Sequence, residues 1–197
     1  MNYEEFRTKW LSLFQEDELT TYSYEETENT TLLPETKQFL AVGGLPKETA
    51  HSSLTFDEKI YSSDVQSLKD QILLEGDHFA HYYIIGSIDN GWVCINTAAD
   101  DQILAIDVDY PNLVEEGRKA SSKEYQGVWF MNSSVFQMAE CVLAYQKFFR
   151  ESSVDDETAV KDLRENMREM DPVCMEKNAF WWYETQYDTL NGEVWLY

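Results

Sequence analysis

The sequence predicts an α+β fold, with a central, mainly antiparallel sheet flanked by N-terminal and C-terminal helices. Three observations carry this. Apolar residues recur at helical spacing over 1–19, strand-like runs joined by turn signals fill 81–108, and helical spacing returns from 134 onward. Helices with one apolar stripe need a sheet face to bury it against.

The elements follow in chain order. Tyr3, Phe6, Trp10, Leu13 and Phe14 share one face, so residues 1–19 read as an amphipathic helix. Residues 20–31 are rich in Thr and Glu and read as loop. Pro34 suits the first turn of a short helix, and Gly43-Gly44 stops it. Leu45-Pro46 leads into extended chain, and Leu54-Thr55-Phe56 reads as an early strand. Residues 81–88 form a β-rich run. Asp89-Asn90-Gly91 signals a hairpin, because a primed turn needs positive φ at its central residues. Trp92 to Asn96 is the return strand, 97–102 the next turn, and Ile103 to Val108 a third strand. Such a meander has one face to cover. Ser134-Val135-Phe136-Gln137 fits a capping box, ahead of a face made by Val135, Met138, Ala139, Val142, Tyr145 and Phe149. Asp155-Asp156 opens another helix, with Val160, Leu163, Met167 and Met170 inside and Asp171-Pro172 at its end. Residues 179–190 read as a final, Trp-rich helix ended by Asn191-Gly192. Of Phe180-Trp181-Trp182-Tyr183, two should enter the core, since four adjacent aromatics cannot face one way.

The 197 residues suit a single domain over 1–197, with 1–30 as a helical extension. Hydrophobic residues at 43% make the composition globular. The net charge of -22 disfavours nucleic acid or an anionic membrane as a ligand and permits a basic protein partner. Spread evenly it would put only about two net charges on a partner footprint. The distribution is more telling. Residues 57–109 hold eleven acidic and two basic residues, whereas 110–149 hold four of each.

Cys94, Cys141 and Cys174 lie far apart in apolar stretches without metal-binding spacing, as buried free thiols would. Met1-Asn2-Tyr3-Glu4-Glu5 lacks the apolar run of a signal peptide, and no stretch approaches the ~20 apolar residues of a membrane span, so a cytoplasmic location is expected.

No GxSxG, HExxH, Walker A or GxGxxG pattern is present, so no catalytic, cofactor or metal site is expected. His78 and His81 stand three apart at the start of a strand, where they point to opposite faces, which suits two ordinary histidines better than a metal pair. Asp100, Asp101, Asp107 and Asp109 could hold a cation or serve a hydrolase, but read more simply as a solvated acidic sheet edge. With Asp89 and Trp92 at the hairpin, these residues are the partner-binding candidates.

Three stretches together resemble the SUKH superfamily, and within it the fourth group of immunity proteins. Thr36 to Pro46, with Gly43, Leu45 and Pro46, resembles that group's "FL...GLP" element. Tyr83 to Ile95, with Gly86 and Gly91, resembles its strand–turn–strand. Phe130-Met131-Asn132-Ser133-Ser134 and the following helix resemble "F.NSS...F..CL..Y". Asp171-Pro172 and Trp181-Trp182 match a weaker tail signature. The resemblance spans about residues 36–190, and the segment 110–126 departs from it. It implies a sheet flanked by helices and a non-enzymatic role: many members neutralise cognate toxins, often nucleases, of bacterial polymorphic toxin systems. Its pattern marks fold residues and not toxin-binding ones. The expected function is therefore an antitoxin-type immunity protein. The rival readings are a regulatory or scaffold adaptor of the same fold and a metal-dependent hydrolase built on the aspartates.

Overall fold

A computed structural model describes residues 3–49, 54–62, 81–88, 91–107, 127–152 and 156–185. Its architecture is the expected α+β one. Five strands form an antiparallel meander in the order β3-β4-β5-β6-β7: β3 Thr55–Ser62, β4 Tyr82–Ile88, β5 Gly91–Asn96, β6 Gln102–Asp107 and β7 Val128–Asn132. A two-residue ribbon, β1 Leu19–Thr20 with β2 Leu45–Pro46, stands beside it. The helices are α1 Tyr3–Leu11, α2 Tyr24–Glu28, α3 Pro34–Gln38, α4 Val135–Glu151, α5 Glu157–Met170 and α6 Phe180–Glu184.

Several elements differ from the sequence expectation, each for a local reason. The first helix stops at Leu11, and a 3-10 turn at Glu16–Glu18 and β1 follow. Residues 20–31 are not all loop. Ser23 caps α2 by accepting from the Glu26 amide at 3.1 Å, a Ser-x-x-Glu signal within the Thr- and Glu-rich run. β7, unassigned from the sequence, adds to the meander because Val128, Trp129 and Phe130 pair with Ile106, Ala105 and Leu104. The predicted hairpin turn at 89–90 and the chain beyond Thr185 lie outside the described residues.

The main core lies between the helices and one sheet face. Ile85, Val93, Ile95, Ile103, Ala105 and Met131 meet Val135, Met138, Val142 and Tyr145 of α4 and Phe6 and Trp10 of α1. The expectation of a sheet with one buried face is too simple. Ile84, Cys94, Leu104 and Ile106 form a second buried cluster on the other face, joined by Trp92, Tyr82 and Phe130. β6 therefore buries both of its alternating sets, Ile103 and Ala105 on one side and Leu104 and Ile106 on the other.

The motif glycines sit where backbones nearly touch. A Cβ on Gly86 would lie 2.1 Å from the Thr55 carbonyl oxygen of β3. Gly44 ends the wide turn Phe39–Gly43 with φ 72, against the Thr20 carbonyl of β1. Trp10 Nε1 donates to the Gly44 carbonyl at 3.1 Å, which ties α1 to the same corner.

Candidate partner-binding face

The sequence candidates do not form one cluster. Asp100 and Asp101 follow a 3-10 turn at Thr97–Ala99 and take left-handed φ values of 52 and 59, which Asp tolerates better than most residues. Asp107 pairs with Gly91, at the other end of the β5–β6 ladder from the Asn96–Gln102 pair. Five ladder steps separate the two ends, about 17 Å. Trp92 packs with Cys94 on the sheet face away from α4. Asp89 and Asp109 lie outside the described residues. Asp100 is exposed, whereas Asp101 is only 1% exposed.

Asp101 has a structural task. Its Oδ2 accepts from the Leu33 amide at 2.7 Å. Leu33 is the N-cap residue of α3 and caps nothing with its own side chain. A carboxylate from a distant turn thus satisfies one of the unpaired amides at the start of α3, that of the N-cap residue itself. Burial pushes the Asp101 carboxyl above its ordinary range. The Leu33 amide and a hydrogen bond from Thr36 pull it back, and Glu35 and Asp100 push it up again.

That contact brings Asp100 beside a surface absent from the sequence candidates. Residues 16–38, through the end of α3, hold seven acidic residues and one basic one, Lys37, whose Nζ lies 3.8 Å from Glu28 Oε2. Glu25, Glu28 and Glu35 are exposed, as are Glu16, Asp17 and Glu18. The α2–α3 segment is tied to the sheet at three points. The Ile60 amide of β3 donates to Glu26 Oε1 at 2.8 Å, the Thr31 amide donates to the Tyr83 hydroxyl of β4 at 3.1 Å, and the Leu33 amide reaches Asp101. Tyr24, 61% exposed, and Leu33 are among its exposed apolar residues. The run of acids in 16–36 was the signal that could have found this surface.

A surface among the long helices is electrostatically different. A groove of about 440 Å³ runs between α1, α4 and α5, with Leu143, Phe148 and Leu163 in its floor. Lys9 and Lys147 face Glu140, Glu151 and Asp162 along it, so its charges nearly balance.

The motif residues Asn132, Ser133 and Ser134 build a buried junction instead of a surface. Asp171, at the end of α5, accepts from the Ser133 amide at 2.7 Å, the Ser133 hydroxyl at 2.9 Å and Asn132 Nδ2 at 3.1 Å. Asn132 Oδ1 accepts from Trp181 Nε1 at 2.7 Å. Ser134 caps α4 by accepting from the Gln137 amide at 3.3 Å. The Gln137 side chain reaches back, but to the Ser134 hydroxyl, which donates to its Oε1 at 2.9 Å, while its Nε2 donates to the Met170 carbonyl at 3.2 Å and fastens α4 to α5. Side chains from three separate motif stretches thus satisfy one another in the interior.

Among the described residues no group of His, Cys, Asp or Glu is arranged to hold a metal, and no helix is long and apolar enough to cross a membrane. Searches of curated proteins and of solved structures find no match to this chain. A sequence model of the SUKH-4 immunity protein family matches residues 11–188, covering the glycine corners, the meander and the Asn132–Asp171–Trp181 junction, and the chain belongs to that family.

Proposed function

We propose that this protein is a cytoplasmic immunity protein that binds and neutralises a cognate toxin domain and catalyses nothing itself. Membership of the SUKH-4 immunity protein family over residues 11–188 carries the reading. Separation of Asp100 and Asp101 from Asp107 along the β5–β6 ladder weighs against the hydrolase alternative, which needs its carboxylates within one coordination sphere.

The proposed binding face is the α2–α3 segment with Asp100 at its border. Glu25, Glu28, Glu35 and Asp100 would draw in a basic toxin surface, and Tyr24 and Leu33 would supply desolvated anchors. For a nuclease toxin, the carboxylates would stand where the substrate's phosphates bind. Asp89, Trp92, Asp107 and Asp109 remain candidates for a second contact. Asp101 would act through Leu33, by holding α3 in place.

Co-expression with the toxin domain encoded beside this gene tests the reading. Growth rescue and co-purification are expected. A toxin that stays lethal and fails to co-purify refutes it, and binding to a non-toxic housekeeping protein would favour the adaptor alternative.

A further inference from the structure

Cys141 and Cys174 face one another in the interior, with Sγ atoms 3.8 Å apart. Both are free and fully buried. They complete a chain of hydrogen bonds: Asn132 Nδ2 donates to Cys141 Sγ at 3.4 Å, the two thiols contact one another, and Cys174 donates to the Met167 carbonyl at 3.7 Å.

Their supports are unequal. Cys141 is in the second turn of α4, a helix of 17 residues. Cys174 sits on a single 3-10 turn, Pro172–Met175, whose Pro172 is exposed and whose Val173 is 41% exposed. The backbone bonds at the ends of that turn include Cys174 to the Asp171 carbonyl and Glu176 to the Val173 carbonyl, each 3.1 Å. Opening this turn needs far less disruption than opening α4. A disulfide requires sulfurs about 2.05 Å apart, so the pair must close by about 1.8 Å, and the short turn is the part able to move.

We propose that Cys141 and Cys174 are a reversible dithiol–disulfide couple, oxidised by low-molecular-weight disulfides through Cys174, whose oxidised form staples the 172–175 turn to α4. The Cys174 thiolate attacks one sulfur of the small disulfide, forming a mixed disulfide and releasing one small thiol. The Cys141 thiolate then attacks the Cys174 sulfur, forming the internal bond and releasing the second small thiol. Two protein thiols give up two electrons and two protons, and the small disulfide takes them up as two thiols. The bond to Cys141 and burial both hold the Cys174 thiol protonated, so the exchange is slow and waits on opening of the turn. Cys94, buried on the other sheet face, is the internal control.

The test is incubation of the full folded chain in mixtures of reduced and oxidised glutathione, with acid quenching, alkylation, intact mass and peptide mapping. Wild type should lose two hydrogens, yield a Cys141–Cys174 peptide and keep Cys94 alkylatable. Its melting temperature should rise by roughly 7–15 °C, from closing a loop of this length. Cys141→Ser should trap glutathione on Cys174, whereas Cys174→Ser should leave Cys141 unmodified under the same exposure. If Cys174→Ser does not fold, Cys174→Ala keeps the packing apolar, and the wild-type peptide map stands without either variant. A persistent mixed disulfide in wild type, bonding that appears only in urea, a lower melting temperature on oxidation, or equal labelling of Cys141 in the absence of Cys174 would overturn the proposal.

Discussion

Replacing Asp171 by Ala removes the acceptor shared by Ser133 and Asn132. Asp171 is 1% exposed, so water does not readily take its place. The Ser133 hydroxyl can rotate toward solvent, because Ser133 is only half-buried. The Ser133 amide and Asn132 Nδ2 have no such freedom. Two stranded donors at ~1–3 kcal/mol each give a loss of about 2–6 kcal/mol, a large part of the 5–15 kcal/mol typical of a folded domain. Asp171→Asn is the discriminating companion. Its amide oxygen can face the Ser133 amide and Asn132, while its NH2 group donates to the Ser133 hydroxyl, which accepts as readily as it donates. All three bonds survive in weaker form, so the cost should be about 1 kcal/mol. Urea unfolding measures both. Asp171→Ala should lower the midpoint by roughly 1.5 M at an m value near 2 kcal/mol/M, with m unchanged. Equal shifts for the two variants, or a loss below about 1 kcal/mol for Ala, would refute the shared-acceptor argument.

Further expectations follow from the same geometry. Trp181→Phe should cost about 1–3 kcal/mol in the same urea assay, since Asn132 Oδ1 loses its 2.7 Å donor while the aromatic volume is largely kept. Gly86→Ala should destabilise by about 3 kcal/mol or more, because its Cβ meets backbone of β3 at 2.1 Å and no side chain can yield; an effect under 1 kcal/mol in thermal melts would contradict that packing. Asp101 carries a pH signature. A carboxyl raised in the folded chain disfavours folding once ionised, and this penalty fades as pH falls through the folded pKa toward the unfolded value. Asp101→Asn should therefore remove this group's own share of the pH dependence, so that lowering the pH from neutral toward about 4 shifts the denaturant midpoint of the variant less favourably than that of wild type. Tyr24→Ala should weaken toxin binding about tenfold or more without moving the melting temperature, given its exposure, and raising salt should slow association with wild type more than with a Glu25→Gln, Glu28→Gln, Glu35→Gln variant in stopped flow.

Much of this protein was legible in its residues because local chemistry and periodicity act over short distances. The faces of α4 and α5, the cap at Ser134, the stop at Gly43-Gly44 and the β4–β5–β6 meander follow from spacing and turn residues. The family could be read from the order of three motifs, and the match over 11–188 agrees. What those motif residues do required the folded chain. Asn132 is separated from Asp171 and Trp181 by tens of residues, and only packing of α5 and α6 against the start of α4 makes them partners. The candidate face shows the same division. The sequence located an excess of acid, but it treated Asp100 and Asp101 alike, since adjacent residues in a turn have the same local preferences. Tertiary structure separated them: Asp101 turned inward to accept the Leu33 amide at the start of α3, and Asp100 stayed in solvent at the same turn. Local propensity determines which backbone a residue can adopt, whereas burial and hydrogen-bond partners are set by chain that arrives from elsewhere.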